Sequence, residues 1–120
     1  MSLYSDIIKV FDAKFHPNSL DKHWEDHKYG SKSGKTQLPK QMTKTQYAKK
    51  AEHLSLQKID GKKVRAFKYQ GNRIAKTNGQ WFTAYADGKD NGNINSCFPA
   101  GYDYWLRAMK AKNGVEIFKE

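Results

Sequence analysis

The stretch VRAFKYQGNRIAKTNGQWFTAYADGKDNGNINSCF, residues 64–98, decides the fold. Within it β-favouring residues recur with period two: Val64, Ala66 and Phe67 in a first run, Arg73 to Ala75 in a second, Trp81 to Ala86 in a third and Ile94 to Phe98 in a fourth. Between the runs stand Gln70-Gly71-Asn72, Asn78-Gly79 and Asp87-Gly88, whose Gly and Asn residues tolerate the left-handed backbone of hairpin turns. The expectation is an antiparallel meander of about four strands. Beyond it, Gly101-Tyr102-Asp103-Tyr104-Trp105-Leu106-Arg107 reads as a turn into a short helix, and Val115 to Phe118 as a candidate last edge strand.

Upstream of the meander the period changes to that of helices. Thr43-Lys44-Thr45-Gln46 fits a capping box, with the Thr hydroxyl and the Gln amide satisfying free backbone N–H groups, and Tyr47, Ala51 and Leu54 follow at helical spacing. Asn18 or Ser19 can cap an earlier helix running to about Tyr29, with Leu20 and Trp24 on one face and Gly30 as its stop. Ile7, Ile8, Val10, Phe11 and Phe15 form an apolar stretch closed by His16-Pro17 that fits either a short helix or a strand. From Ser31 to Lys40, Gly, Pro and lysines without apolar periodicity predict an exposed, mobile, basic loop. A helical first half and a strand-rich second half give an α+β fold: N-terminal helices packed on a roughly four-stranded antiparallel sheet, with a short helix near the C-terminus. No linker separates the halves, so residues 1–120 are read as one domain.

At 120 residues the chain can bury one modest core, and its 38% hydrophobic content supplies one. No apolar run approaches the roughly 18 residues of a membrane span, so no membrane insertion is expected. Met1-Ser2-Leu3-Tyr4-Ser5-Asp6 has neither the basic nor the apolar region of a signal peptide, and export would depend on a larger parent protein or another route. The single cysteine, Cys97, excludes an internal disulfide and a thiolate-rich zinc site, and in a strand it reads as a small core or edge residue. A formal net charge of +10 favours a polyanionic partner, nucleic acid first, and an acidic inhibitor protein would exploit the same charge.

The sharpest chemical feature is His23-Trp24-Glu25-Asp26-His27, which puts two imidazoles on one helical face a turn apart. HExxH zinc sites need Glu directly after the first His, where Trp24 stands, so acid–base chemistry is the better reading. In RNA cleavage one group removes the 2′-hydroxyl proton and another protonates the 5′-oxygen, and imidazole titrates in the required range. Cations would steady the pentavalent phosphate without a metal or other cofactor. Lys22 and Lys28 flank the histidines, Lys35 and Lys40 lie in the basic loop, and Arg65 and Arg73 fall among the strands. Of these, Lys22, Lys35, Lys40 and Arg73 are the candidate RNA contacts. Among the interleaved aromatics, Trp81 and Tyr102 are the candidates to stack on bases, while core packing is expected of most others. Gly30-Ser31-Lys32-Ser33-Gly34-Lys35-Thr36 only superficially resembles a phosphate-binding loop, since no apolar strand precedes it.

Taken in order, these segments resemble a family of bacterial polymorphic toxin domains in the barnase, EndoU, colicin D and RelE-like ribonuclease superfamily. His23 to Gly30 resembles that family's paired-histidine helix, Thr43 to Ala51 its second helix, and Asn93-Ile94-Asn95-Ser96-Cys97-Phe98-Pro99 its late strand element, with Ser96 where Thr is common. The sequence departs from the family form at Lys28-Tyr29, where Asp-Phe is usual, and at Phe98-Pro99, where a lysine is missing between the two. The resemblance implies an endoribonuclease, often a tRNase, carried at the end of a contact-dependent growth inhibition effector and acting in the cytoplasm of a competitor cell. It also implies His23 or His27, or both, as acid and base, with Ser96 holding the scissile phosphate. An immunity protein, acidic to match the cationic toxin, and in some cases a host activating factor would be its partners. Two other classes remain open on the residues alone: a non-catalytic nucleic-acid-binding module and a metal-dependent DNase toxin.

Overall fold

The computed structural model describes residues 13–56, 64–70, 73–85 and 93–119. It shows helix α1 (Pro17–His27), helix α2 (Lys44–Ser55), strands β1 (Arg65–Tyr69), β2 (Arg73–Thr77), β3 (Trp81–Tyr85) and β4 (Ile94–Pro99), helix α3 (Tyr102–Ala111) and strand β5 (Val115–Lys119). The expected α+β fold is present. The strands form one antiparallel sheet in the order β4-β3-β2-β1-β5, so the meander of four is joined by the C-terminal strand on the free side of β1. Residues Ile7 to Phe11, Ala86 and the Asp87-Gly88 turn lie outside the described residues, and Phe15 makes a single parallel bridge to Ile94.

Local chemistry accounts for the helix ends. Both halves of the capping box form at α2: Thr43 Oγ1 accepts from the Gln46 N–H at 3.1 Å, and Gln46 Oε1 accepts from the Thr43 N–H at 2.9 Å. At α1 the cap is neither Asn18 nor Ser19 but His16, whose Nδ1 accepts from the Asn18 N–H at 3.2 Å. Pro17, with its fixed φ and no N–H, suits the first helical position and moves the start upstream. The helix also ends at His27, short of Tyr29: Lys28 leaves helical geometry with ψ 150, and Gly30 adopts φ +82.

The sheet has two covered faces, fixed by alternation along each strand. Ala66, Lys76, Thr83 and Cys97 pair across β1 to β4 in one row, and Phe67, Ala75, Ala84 and Ser96 in the next. The first row faces α2, whose Tyr47, Ala51 and Leu54 pack with Ala66, Ile74, Tyr85, Ile94 and Cys97. The second row shares its face with Phe82 and Phe98, over which α3 lays Trp105, 4.7 Å from Phe67 between ring centroids. At the β4 edge the segment before α1 pairs with the sheet: the Ile94 N–H donates to the Lys14 carbonyl at 2.7 Å, and the His16 N–H to that of Ile94 at 2.8 Å. Among the described residues, no helix is long and apolar enough to cross a membrane.

Candidate active site

Helix α1 runs along the β4 edge in the direction of that strand. Ser19, His23 and His27 occupy successive turns of one helical face. At one end Ser19 Oγ donates to Asn95 Oδ1 at 2.8 Å; at the other the His27 ring stacks on Phe98, 5.0 Å between centroids and 7° from parallel. Eight helical residues rise about 12 Å and three strand residues about 10 Å, so the two elements stay in step. His23 therefore lies between these two contacts along the helix, as Ser96 does along the strand. Alternation puts the Ser96 side chain on the same sheet face as Phe98.

His27 is held on every side. It is 5% exposed, its Nδ1 lies 2.6 Å from the Thr36 carbonyl, and its own carbonyl accepts from the Leu38 N–H at 2.7 Å. A carbonyl oxygen only accepts, so His27 Nδ1 carries the proton and Nε2 is the nitrogen left for other work. The His23 ring lies parallel to it, 8° between planes and 6.1 Å between centroids. His23 is half-buried, and its Nδ1 is buried without a hydrogen-bond partner among the described residues. Burial lowers the His23 pKa below the usual 6.5, and His27, Lys35 and Lys22 act in the same direction while Asp26 opposes them. The ring is thus neutral at pH 7, the form that accepts a proton.

Asp26 collects the nearby cations. Lys35 Nζ lies 3.1 Å and Lys22 Nζ 3.5 Å from Asp26 Oδ2, and the Lys35 hydrogen bond first among several effects holds the carboxyl below its ordinary pKa. The loop that carries Lys35 is not the loose arm its composition suggested. Ser31 Oγ donates to the Glu25 carbonyl at 3.0 Å, Gln37 Oε1 accepts from the Gly30 N–H at 3.1 Å, and Leu38 is buried in the first core. These bonds fasten the loop across the end of α1. Its Thr36 carbonyl consequently has a defined position against His27.

The structure brings His23, His27, Lys22 and Lys35 together beside β4, the strand that carries Ser96. It does not bring the other candidates there. Arg73 opens β2 at the opposite end of the sheet from Phe98, with its guanidinium donating to Gln70 Oε1 at 3.0 Å. Trp81 packs partly into the core beneath α2, with Lys50 Nζ 5.5 Å from its ring centroid. The Tyr102 ring lies on the turn at Gly79, where an added Cβ would stand 2.7 Å from it. Lys40 is exposed in the approach to α2. The tyrosine that reaches the site's surroundings is Tyr104, partly exposed and edge-on to Phe98 at 5.2 Å, and no sequence signal separated it from Tyr102.

Among the described residues, no three His, Cys, Asp or Glu side chains converge as metal ligands. What the arrangement offers is a neutral imidazole, a second one of fixed tautomer and two ammonium groups, beside the strand that carries the Ser96 hydroxyl. Comparison with protein-family models, curated proteins and solved structures finds no match for this chain.

Proposed function

We propose that the chain is a metal-independent endoribonuclease toxin, with tRNA as the expected substrate, carried by a larger exported effector into competitor bacteria. The parallel His23–His27 pair beside β4 carries this reading. Neutral His23 takes the proton of the ribose 2′-hydroxyl, and the freed oxygen attacks phosphorus. The phosphorus–5′-oxygen bond then breaks, with protonated His27 Nε2 returning a proton to the leaving oxygen. The products are a 2′,3′-cyclic phosphate and a 5′-hydroxyl. In this scheme Ser96 and the ammonium groups of Lys22 and Lys35 stabilise the added negative charge. The tether to Thr36 serves this scheme by fixing which nitrogen of His27 is available.

The same basic surface supports a separately encoded acidic immunity protein as partner, which would mask the site by charge complementarity. The reading is tested by incubating purified protein with total bacterial RNA in excess EDTA, beside His23→Ala and Ser96→Ala, and resolving the products on a denaturing gel. Wild type is expected to give discrete fragments, and His23→Ala to slow them by about 10² to 10⁴. Equal cleavage by wild type and His23→Ala would overturn the assignment. A shifted RNA complex with no scission would favour the binding-module class.

A further inference from the structure

A cavity of about 410 Å³ opens on the side of α1 next to the histidine face, between the end of that helix and the residues leading into α2. Its floor is Trp24, fixed by an indole N–H donated to the Met42 carbonyl at 2.9 Å. Lys28 and Lys44 place their ammonium groups 4.9 and 5.7 Å from the Trp24 ring centroid. Both also pair with carboxylates, Glu25 and Asp21 respectively, so they remain near the rim rather than ranging into solvent. Tyr29 stands at the margin, 56% exposed. Gln41 lies exposed beside it, and its carboxamide has no hydrogen-bond partner among the described residues.

We propose that this groove is a nucleobase subsite, holding an unpaired base of the RNA beside the cleavage site. The proposal rests on the ribonuclease reading and extends it, because Lys28 and Tyr29 directly follow His27 in the chain. The volume falls at the low end of the roughly 300 to 1,000 Å³ of small-molecule clefts, which suits one nucleoside. An exposed tyrosine ring over an apolar floor is a stacking surface for any base. A free carboxamide supplies one donor and one acceptor, the pair that adenine matches. Ammonium groups at the mouth attract the flanking phosphates. A protein helix would need several apolar anchors in line, and here there is one aromatic floor.

The test is fluorescence anisotropy with a labelled short oligoadenylate and with an abasic strand of equal length and charge, at one salt concentration. It is run in the His23→Ala protein so that the strands survive, alone and with Tyr29→Ala or Gln41→Ala added. The oligoadenylate is expected to bind at least about tenfold tighter than the abasic strand, since one stacked base is worth about 5- to 150-fold in affinity. Tyr29→Ala should remove most of that difference, Gln41→Ala part of it, and neither should change abasic binding. Thermal melts establish that both variants remain folded. Equal affinity for the two strands, or equal loss on both in Tyr29→Ala, would overturn the subsite. An acidic tyrosine-containing peptide that displaces the strand only when Tyr29 is present would reassign the groove to a protein partner and overturn it too. Cleavage of bacterial RNA by the wild-type chain is read separately: scission with no base preference sinks the subsite alone, and base preference without scission sinks the ribonuclease alone.

Discussion

Lys76 gives the prediction with the most at stake for the core. It lies on β2 facing α2, 3% exposed, with Nζ donating to the Ser55 carbonyl at 2.8 Å in the last turn of that helix. Burial brings its pKa from 10.5 down to about 7, with Cys97 acting weakly against the change. The folded-state value is depressed, so between pH 7 and 10.5 the unfolded chain holds more protons and stability rises with pH. Below pH 7 both states are protonated and the whole penalty remains. A difference of 3.5 units between 10.5 and 7 corresponds to about 4 to 5 kcal/mol. Lys76→Met keeps the length of the side chain and abolishes the penalty, but forfeits the bond to Ser55, worth about 1 kcal/mol. At pH 6 the variant should therefore be the more stable by about 3 kcal/mol. Near pH 10 the gap should close to about zero, because only about 0.8 kcal/mol of the penalty remains while the neutral amine still donates to Ser55. Cys97, pushed up to about 12 by burial, makes both proteins lose stability above pH 9, and because Lys76 acts on it the comparison is cleanest at pH 9 and below. Urea unfolding followed by circular dichroism at pH 6, 7.5, 9 and 10 reads these differences. A pH-independent gap between the two proteins would refute the reasoning, since it would mean that Lys76 titrates alike in both states.

Three further outcomes follow from the same contacts. Lys35→Met removes a cation that lowers the His23 pKa and frees Asp26, which raises it, so the acidic limb of the rate profile should move to higher pH; an unmoved limb would separate His23 from the titration that limits cleavage. Thr43→Ala breaks one arm of the α2 capping box and should lower stability by about 1 kcal/mol, read as a drop of about 3 to 6 °C in Tm. Gly114→Ala would place a Cβ 2.4 Å from the fully buried ring of Phe67, an overpacking that should lower the urea midpoint by about 1 to 3 kcal/mol in stability terms without changing the slope.

Where interactions are local, the sequence reading matched the structure. The capping box joins residues three apart, and the Asn78-Gly79 turn needs only a Gly that can take φ +89. The cap of α1 was misplaced because His16, Asn18 and Ser19 all offer an acceptor, and only the position of Pro17 decides among them. Lys76 shares a strand face with Ile74, yet a lysine in RIAKT looks like a surface residue until the Ser55 carbonyl is brought opposite it. The candidate site divides in the same way. The histidine pair is a matter of helical spacing and was visible; the stack of His27 on Phe98 and the bond to Thr36 depend on how α1 docks. Arg73, Trp81 and Tyr102 were chosen by residue type, and type does not say at which end of a sheet a side chain will stand.

The docking of α1 joins fold and chemistry more closely than the histidine spacing alone would suggest. β4 is an edge strand, and an uncovered edge exposes backbone donors and acceptors to foreign strands. Here the residues around Phe15 pair with its first part, and α1 lies along the rest. The contacts that secure this cover, Ser19 to Asn95 and His27 to Phe98, are the ones that hold His23 between them along β4. A helix free to slide by one turn would still cover the edge but would move His23 by about 5 Å along it. Stacking on Phe98 and the Thr36 tether each oppose that slip from a different direction, one from the sheet and one from the loop. The near-complete burial of His27 thus goes with a ring fixed in position from two sides, while His23 beside it is only half-buried.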